Sequence, residues 1–307
     1  MPLLEVQQLS IAFQQYTKGS RQQMVTVMEE LDLAINEGEI VAVVGASGSG
    51  KSLLAHAIMG ILPANAYISG SIRYNGEQLD EAKLKSLRGS EIALVPQSVS
   101  YLNPLIRVGK QLQTNKDSIE QHSERKGLFE RFRLGEHVAR LFPFQLSGGM
   151  ARKVLVSTAA LSRTRLIIAD EPTPGMHPDD VAEALKQFKQ LAAEGCAVLL
   201  ITHDIEAAIR IADKVAVCYA GSIIEIAPAS DFSGAGNELR HPYSQALWRA
   251  LPQNGFIPIS GTQPSMGLGL QGCLFADRCN RAVDACKVSR QESRQIRSGI
   301  VRCMHAT

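Results

Sequence analysis

The feature that most constrains this chain is an octapeptide, Gly45-Ala46-Ser47-Gly48-Ser49-Gly50-Lys51-Ser52. An apolar run, Ile40 to Val44, leads into it, and a helix-like segment, Ser52 to Met59, leads out. Strand, glycine-rich turn and helix, with the G-x-x-x-x-G-K-[ST] spacing complete, make a phosphate cradle. Glycines let successive backbone N–H groups curl around a phosphate chain, and the helix N-terminus adds its positive end. Lys51 is expected to reach the β- and γ-phosphates, and Ser52 to offer its hydroxyl to Mg²⁺. Gly45, Ser47, Gly48, Ser49, Gly50, Lys51 and Ser52 are thus expected to bind a nucleoside triphosphate. A chance glycine-rich loop would not need both flanking elements.

Around this motif the chain alternates strands and helices. Leu4 to Phe13 reads as an edge strand, Gln14 to Gln23 as an exposed polar loop, and Val25 to Ile35 as a second strand. Phe13 is placed either to stack on an adenine ring or simply to pack its strand. After the cradle come a strand, Ile68 to Tyr74, with an Asn75-Gly76 turn, a short helix and another strand, Ile92 to Val95. From about 98 to 161 the pattern turns mostly helical and reads as an insertion standing on the sheet; the charged stretch His122 to Arg133 reads as a solvated helix face or linker. The α/β rhythm resumes at Leu166 to Ala169, then a helix from Pro178 to Ala193, a strand from Ala197 to Ile201, and a helix capped by Asp204. Buried strands separated by helices indicate a three-layer α/β domain. Beyond Pro228 the chain becomes loop-rich, with one helix expected over Tyr243 to Leu251 and a domain boundary near Phe232 to Arg240.

Asp170 and Glu171 close the strand at Leu166 to Ala169, at the catalytic edge of a parallel sheet. In a phosphate-loop protein the first carboxylate orients Mg²⁺ and its water, and the second orients the attacking water. An acidic helix cap is the plainer alternative. His203, ending the next strand, is suited to touch the γ-phosphate or that water.

At this point the chain resembles the nucleotide-binding subunits of ABC transporters, over nearly its whole length. Leu146-Ser147-Gly148-Gly149-Met150 is similar to the family signature. The resemblance implies that Ser147, Gly148 and Gly149 face the ATP of a partner subunit, since family members pair head to tail around two ATP molecules. Gln97 matches the Q-loop glutamine, Phe13 the adenine-stacking aromatic, Asp170 the Walker B aspartate, Glu171 the catalytic glutamate and His203 the switch histidine. The implied fold is an α/β P-loop NTPase of the ABC ATPase type with a helical signature subdomain. Glu171, His203, Gln97 and Lys51 are then the catalytic set, and Ser52, Gln97 and Asp170 the Mg²⁺ set. Val99 to Val108 would grip a permease, with Tyr101, Leu102 and Leu105 as apolar contacts or as core of the insertion. Two departures stand out. Met150 replaces the usual glutamine, as in peptide and nickel importers, and Pro174-Gly175-Met176-His177 puts a histidine where the family's D-loop has aspartate.

The C-terminal part narrows the branch. Gly221-Ser222-Ile223-Ile224-Glu225 followed by His241-Pro242-Tyr243-Ser244-Gln245-Ala246-Leu247 resembles the extension of dipeptide, oligopeptide and nickel importers. Cys273, Cys279, Cys286 and Cys303 resemble that group's cysteine tail. In a reducing compartment such a cluster reads as metal binding before disulfide. Four thiolates suit a soft-metal centre, and the resemblance implies a [4Fe–4S] cluster, which some relatives hold in this tail, with tetrahedral Zn²⁺ or plain packed thiols as alternatives. The 5-6-16 gaps lack C-x₂-C knuckles, which favours the cluster. The expected layout is an ATPase domain over 1–235 and a four-cysteine extension over 236–307.

The expected function is ATP hydrolysis that energises import of di- or oligopeptides, or of nickel or metallophore-type cargo. The resemblance implies a second, homologous ATPase subunit (a heterodimer), two membrane permeases and an extracytoplasmic binding protein. No run of about eighteen apolar residues exists, and no basic-then-apolar leader precedes Val6, so the chain is expected at the cytoplasmic face of the inner membrane, held peripherally. A net charge of +2 over 307 residues gives no reason to expect a nucleic-acid partner. The rival, a soluble ABC-type ATPase of translation or repair, predicts tandem nucleotide domains or a long coiled coil, and the sequence carries neither.

Overall fold

The computed structural model describes all residues except 17–21, 113–118, 162–163, 265–270 and 307, and the side chains of 119–122 and 124 are likewise outside it. Along the chain come β1 (Leu4–Tyr16), β2 (Gln22–Ile35), β3 (Ile40–Val44), α1 (Lys51–Met59), β4 (Ala66–Tyr74) and β5 (Glu77–Gln78). Next are α2 (Glu81–Leu87), β6 (Ile92–Val95), α3 (Val108–Gln111), α4 (Ile119–Arg131), α5 (Gly148–Leu161), β7 (Leu166–Asp170), α6 (Pro178–Ala193) and β8 (Ala197–Thr202). The chain closes with α7 (Ile205–Ile211), β9 (Lys214–Tyr219), β10 (Ser222–Pro228), α8 (Pro242–Arg249), α9 (Asp284–Val288), β11 (Arg294–Ile296) and β12 (Gly299–Val301). These elements fall into two units: Met1–Ala34, Val41–Leu79 and His203–Thr307 in one, Ile35–Ile40 and Asp80–Thr202 in the other.

The first unit holds an antiparallel sheet in the order β2-β1-β4-β5. Strand β1 is therefore not the edge strand its loose alternation suggested: β2 and β4 flank it, and Leu4, Val6, Leu9 and Ile11 are buried. The alternation is loose because the pairing with β4 shifts between Gln7 and Ser10, where Gln8 takes a positive φ of 49°. A bulge of this kind moves side chains from one face to the other. The expected polar loop is also shorter than its composition suggested, since Gln14 to Tyr16 continue β1 and Gln22 opens β2. Backbone pairing does not require apolar side chains. The same unit pairs β3 with β9 in parallel, and β9, β10, β12 and β11 antiparallel in that order.

The second unit is a parallel sheet, β6-β7-β8, with α5 and α6 packed beside it. Every residue of β7 and β8 is buried, which is why both read as unbroken apolar runs. The inserted stretch is less helical than expected. Between β6 and α5 the described residues form only α3, α4 and three short 3₁₀ turns. In α4 the charged positions Lys126 and Glu130 face solvent while Leu128 and Phe129 are buried, so it is an amphipathic helix with a solvated face.

Beyond β10 the chain is more structured than its loop-like composition indicated. The hairpin β11–β12 extends the sheet through β10, with Glu225 opposite Val301. A buried ion network fastens this region. Glu225 accepts from the Arg240 guanidinium at 3.3 Å and from the backbone N–H of Arg240 and His241 at 2.7 and 2.9 Å, while Arg240 also donates to Asp231 at 2.8 Å. Charges this deep are tolerated because their lone pairs and protons are satisfied.

Candidate nucleotide-binding and hydrolysis site

In the first unit, β3 ends at Val44 and the next eight residues turn into α1. Gly45 is required by space: a Cβ there would lie 2.2 Å from the carbonyl oxygen of Cys218. Gly48 and Gly50 take positive φ values of 78° and 89°, and Gly50 is the N-cap of α1. Gly50 brings no side-chain cap to the start of α1, whose N-terminal end carries the positive pole of the helix dipole, the end that suits an anion. Lys51 is only 7% exposed. Its ammonium donates to the carbonyls of Gly45 and Ala46, both at 2.9 Å, and to Ser49 Oγ at 3.4 Å, so the loop curls around it. Behind the loop, the Cys218 thiol donates to the Ser49 carbonyl at 3.3 Å, and burial pushes that thiol up to about 11. Phe13 is half-buried opposite Ala66 of β4, and His203 is exposed just before its neighbour Asp204 caps α7.

In the second unit, β7 carries Asp170 (2% exposed) in register with Ile201 of β8, and Glu171 (7% exposed) follows it. Glu171 adopts a left-handed backbone, φ 48°, a conformation that costs a residue with a side chain about 1–2 kcal/mol. Its N–H donates to the Ile201 carbonyl at 2.8 Å, and Thr202 Oγ1 lies 3.5 Å from its carboxylate. Gln97 is exposed just past the end of β6. Ser147 is exposed ahead of α5 and its Oγ accepts from the Met150 N–H at 3.3 Å, a cap on the helix that Gly148 and Gly149 begin. His177 caps α6 through Nδ1, which accepts from Asp179 N–H at 3.4 Å. Leu102 is core, one of the two roles considered for this trio, whereas Tyr101 and Leu105 are exposed.

One residue with a place in this arrangement was not singled out from sequence. Arg152, one turn into α5, donates through Nη1 to the carbonyls of both Gln97 (2.7 Å) and Glu171 (2.9 Å). Its only sequence signal was a basic residue two positions after Met150. Thr202, beside the Glu171 carboxylate, gave no signal beyond ending an apolar strand.

The four tail cysteines line one cavity of about 10 Å³, together with His241, Met304 and His305. Cys286 Sγ lies 3.4 Å from Met304 Sδ and 3.5 Å from His305 Nε2. Burial, and then the neighbouring thiols, push Cys273 and Cys303 upward, which keeps them protonated. Among the described residues no three His, Cys, Asp or Glu side chains are gathered closely enough to hold a metal ion. The donor set suits a soft metal, but the spacing in this conformation does not.

Comparison with known proteins agrees with this geometry. The ABC transporter family profile matches residues 28–174, and the profile of the oligopeptide/dipeptide transporter C-terminal region matches 224–286. The chain is 36% identical to the probable D,D-dipeptide transport ATP-binding protein DdpD of Escherichia coli K12, covering 93% of this chain and 91% of that one. It is 35% identical to the oligopeptide transport ATP-binding protein OppD of the same organism, over 85% and 82% of the two chains. Among solved structures, an ATP-binding subunit of an ABC transporter superposes with a TM-score of 0.62 at 27% identity, over 75% of this chain and 91% of that one. The dimeric ATP-binding cassette MJ0796, in a post-hydrolysis state with ADP and Pi, shares the fold at 0.63 and 24% identity, over 74% and 98%.

Proposed function

The chain belongs to the ATP-binding subunits of ABC transporters, on their oligopeptide and dipeptide branch, and from that premise we propose that it hydrolyses ATP to energise peptide import through a membrane transporter. The observation that carries the reading is Glu171, buried and fixed in a left-handed turn at the end of β7, in a chain that also builds a complete phosphate loop. In this reading Gly45 to Ser52 hold the phosphates, with Phe13 against the adenine. Glu171 orients the water that attacks the γ-phosphate in line, and His203 and Gln97 contact that water or the phosphate. Ser52, Gln97 and Asp170 would hold Mg²⁺, which would supply charge neutralisation on the transferred oxygens. Ser147, Gly148 and Gly149 serve the ATP of the opposing subunit.

The relatives named above are dipeptide and oligopeptide transport proteins, so support falls on peptide cargo and not on nickel. Residues 1–235 act as the ATPase domain and 236–307 as the extension. The partners are a homologous, non-identical ATPase subunit, two permeases and an extracytoplasmic binding protein. Among the described residues no helix is long and apolar enough to cross a membrane, which is consistent with a peripheral seat on the cytoplasmic side of the permeases. Cys273, Cys279, Cys286 and Cys303 would hold a [4Fe–4S] cluster, or Zn²⁺ in the second reading, only by drawing closer together than they stand around their shared cavity, which is the support for either.

The test is Glu171→Gln. It keeps the shape and removes the charge, so nucleotide affinity should hold while turnover falls by about 10²–10³-fold, the scale seen when one preorganised polar group is lost. Wild-type turnover in that variant removes Glu171 from the mechanism.

A further inference from the structure

We propose that Arg152 is a positioning residue for hydrolysis, its guanidinium fastening the backbone of Glu171 and of Gln97 to the helix that follows the signature. The proposal rests on the ATPase reading above and deepens it.

The geometry is specific. A single nitrogen, Nη1, donates to the Gln97 carbonyl at 2.7 Å and to the Glu171 carbonyl at 2.9 Å. Both carbonyls lie just beyond the last paired residues of neighbouring parallel strands, β6 and β7, where the ladder no longer holds them. Glu171 needs holding because its φ of 48° is disfavoured for any residue with a Cβ. Such a conformation persists only where the surroundings determine it. Two grips do so: the Glu171 N–H donates to Ile201 of β8, and its C=O accepts from Arg152 of α5. Release of the second grip lets the peptide relax toward an ordinary conformation and swings the carboxylate away from where it would orient the attacking water. Hydrogen bonds from a charged donor are the strong kind, and a shared donor makes the two carbonyls move together. A shift of the Gln97 segment is therefore felt at Glu171 through one side chain.

The arrangement is not general bracing by any basic residue of α5. Lys153, next in sequence, points elsewhere, to Asp180 at 2.8 Å and the Phe132 carbonyl at 3.0 Å. Arg152 Nε is buried without a hydrogen-bond partner, an unfavourable placement that a surface arginine would avoid by rotating out. Burial lowers the guanidinium's pKa while the Glu171 carboxylate opposes that shift, so the two charges sense each other.

The experiment is a kinetic double-mutant cycle on the full chain assembled with its transporter, reading kcat and KM for ATP. Arg152→Ala should lower kcat by about 30-fold with KM within twofold, because the lost contact acts on the reacting geometry and not on nucleotide binding. Arg152→Lys should recover part of the loss, since an ammonium still donates to carbonyls. In a Glu171→Gln background, measured under single turnover, Arg152→Ala should cost less than threefold, because the group it positions is already disabled. A rise in KM at unchanged kcat overturns the proposal, and so does an equal loss in both backgrounds. If Arg152→Ala does not fold, the series Arg, Lys, Gln at this position carries the comparison: kcat falling in that order at constant KM supports the proposal, and equal kcat overturns it. Undiminished turnover in Glu171→Gln alone is a different failure, of the hydrolytic reading itself, and the proposal falls with it.

Discussion

The phosphate loop and the cysteine tail are both ligand motifs on paper, and the chain builds them in opposite ways. The loop's eight residues are contiguous, and the flanking β3 and α1 hold them in one conformation. Its glycines are where a side chain would collide or strain, and its lysine is already curled into place. The four cysteines come from separate segments spread from Cys273 to Cys303, and they converge on one cavity without reaching metal-ligand spacing. A contiguous motif carries its geometry with it. A dispersed one depends on how the segments pack, and on what they pack around.

The sharpest way to test that contrast is at Lys51. Lys51→Ala removes the charge at the centre of the loop and leaves the two carbonyls of Gly45 and Ala46 without their donor. Turnover should drop to background, and affinity for nucleotide triphosphate should fall by tenfold or more, since the lysine serves binding and chemistry together. Equilibrium nucleotide titration beside steady-state hydrolysis checks both. Retained turnover would mean that the cradle's backbone alone does the work.

This difference also explains what could be read in advance. The strands β3, β7 and β8 are fully buried apolar runs, and Asp204 does cap α7, accepting from Ala207 N–H at 2.9 Å. Helix α6 begins and ends where its periodicity indicated. What stayed hidden was set by tertiary pairing. The hairpin β11–β12 has three residues per strand, too few for alternation to register, and it exists because β10 offers an edge to pair with. The two carbonyls gripped by Arg152 are 74 residues apart in sequence (171 − 97), so no local pattern could join them. The position of Phe13 was legible as strand, but β1's place between two partners was not, because the bulge at Gln7 to Ser10 scrambles its alternation.

The second test is on the tail. Protein purified without oxygen should carry about four iron and four sulfide per chain, or about one zinc in the alternative, following the usual stoichiometry of four-thiolate centres. Changing Cys273 and Cys279 to serine together should remove all of it while ATP binding by the loop stays intact. Metal-free protein, with unchanged thermal stability in the double variant, would leave the cavity as packed thiols.

A smaller effect separates the regions by pH. His241 is fully buried, its Nδ1 accepts from Tyr243 N–H at 3.0 Å, and burial pulls its pKa down to about 3. The folded state therefore holds the ring neutral where the unfolded chain, with a pKa near 6.5, would bind a proton. Stability is fully present above pH 6.5 and is lost as the pH falls toward 3. At about 1.4 kcal/mol per pH unit the loss should reach roughly 2 kcal/mol by pH 5. Denaturant melts across that window, comparing wild type with His241→Asn, should show the slope flatten in the variant. An equal slope in both would place the acid sensitivity elsewhere.

The smallest expected effect is at His177, the histidine in the D-loop position. Its imidazole caps α6 through a long hydrogen bond of 3.4 Å, with 70% of the side chain exposed. Aspartate is a better N-cap and its charge suits the helix's positive end, which together are worth about 0.5–1 kcal/mol. Part of that gain is offset, because Asp179 and Asp180 already occupy the first turn and a third carboxylate would crowd them. His177→Asp should therefore raise the melting temperature by roughly 1–3 °C. The consequence for function is larger in kind than in size. If a histidine at this joint makes the two ATP sites of the assembled pair unequal, single-site turnover should differ between them in the wild type, and the substitution should bring the rates closer. Equal rates in the wild type, unmoved by His177→Asp, would show that the D-loop backbone does this work whichever side chain it carries. The phosphate loop's behaviour would then be independent of the substitution, as its contiguous construction implies.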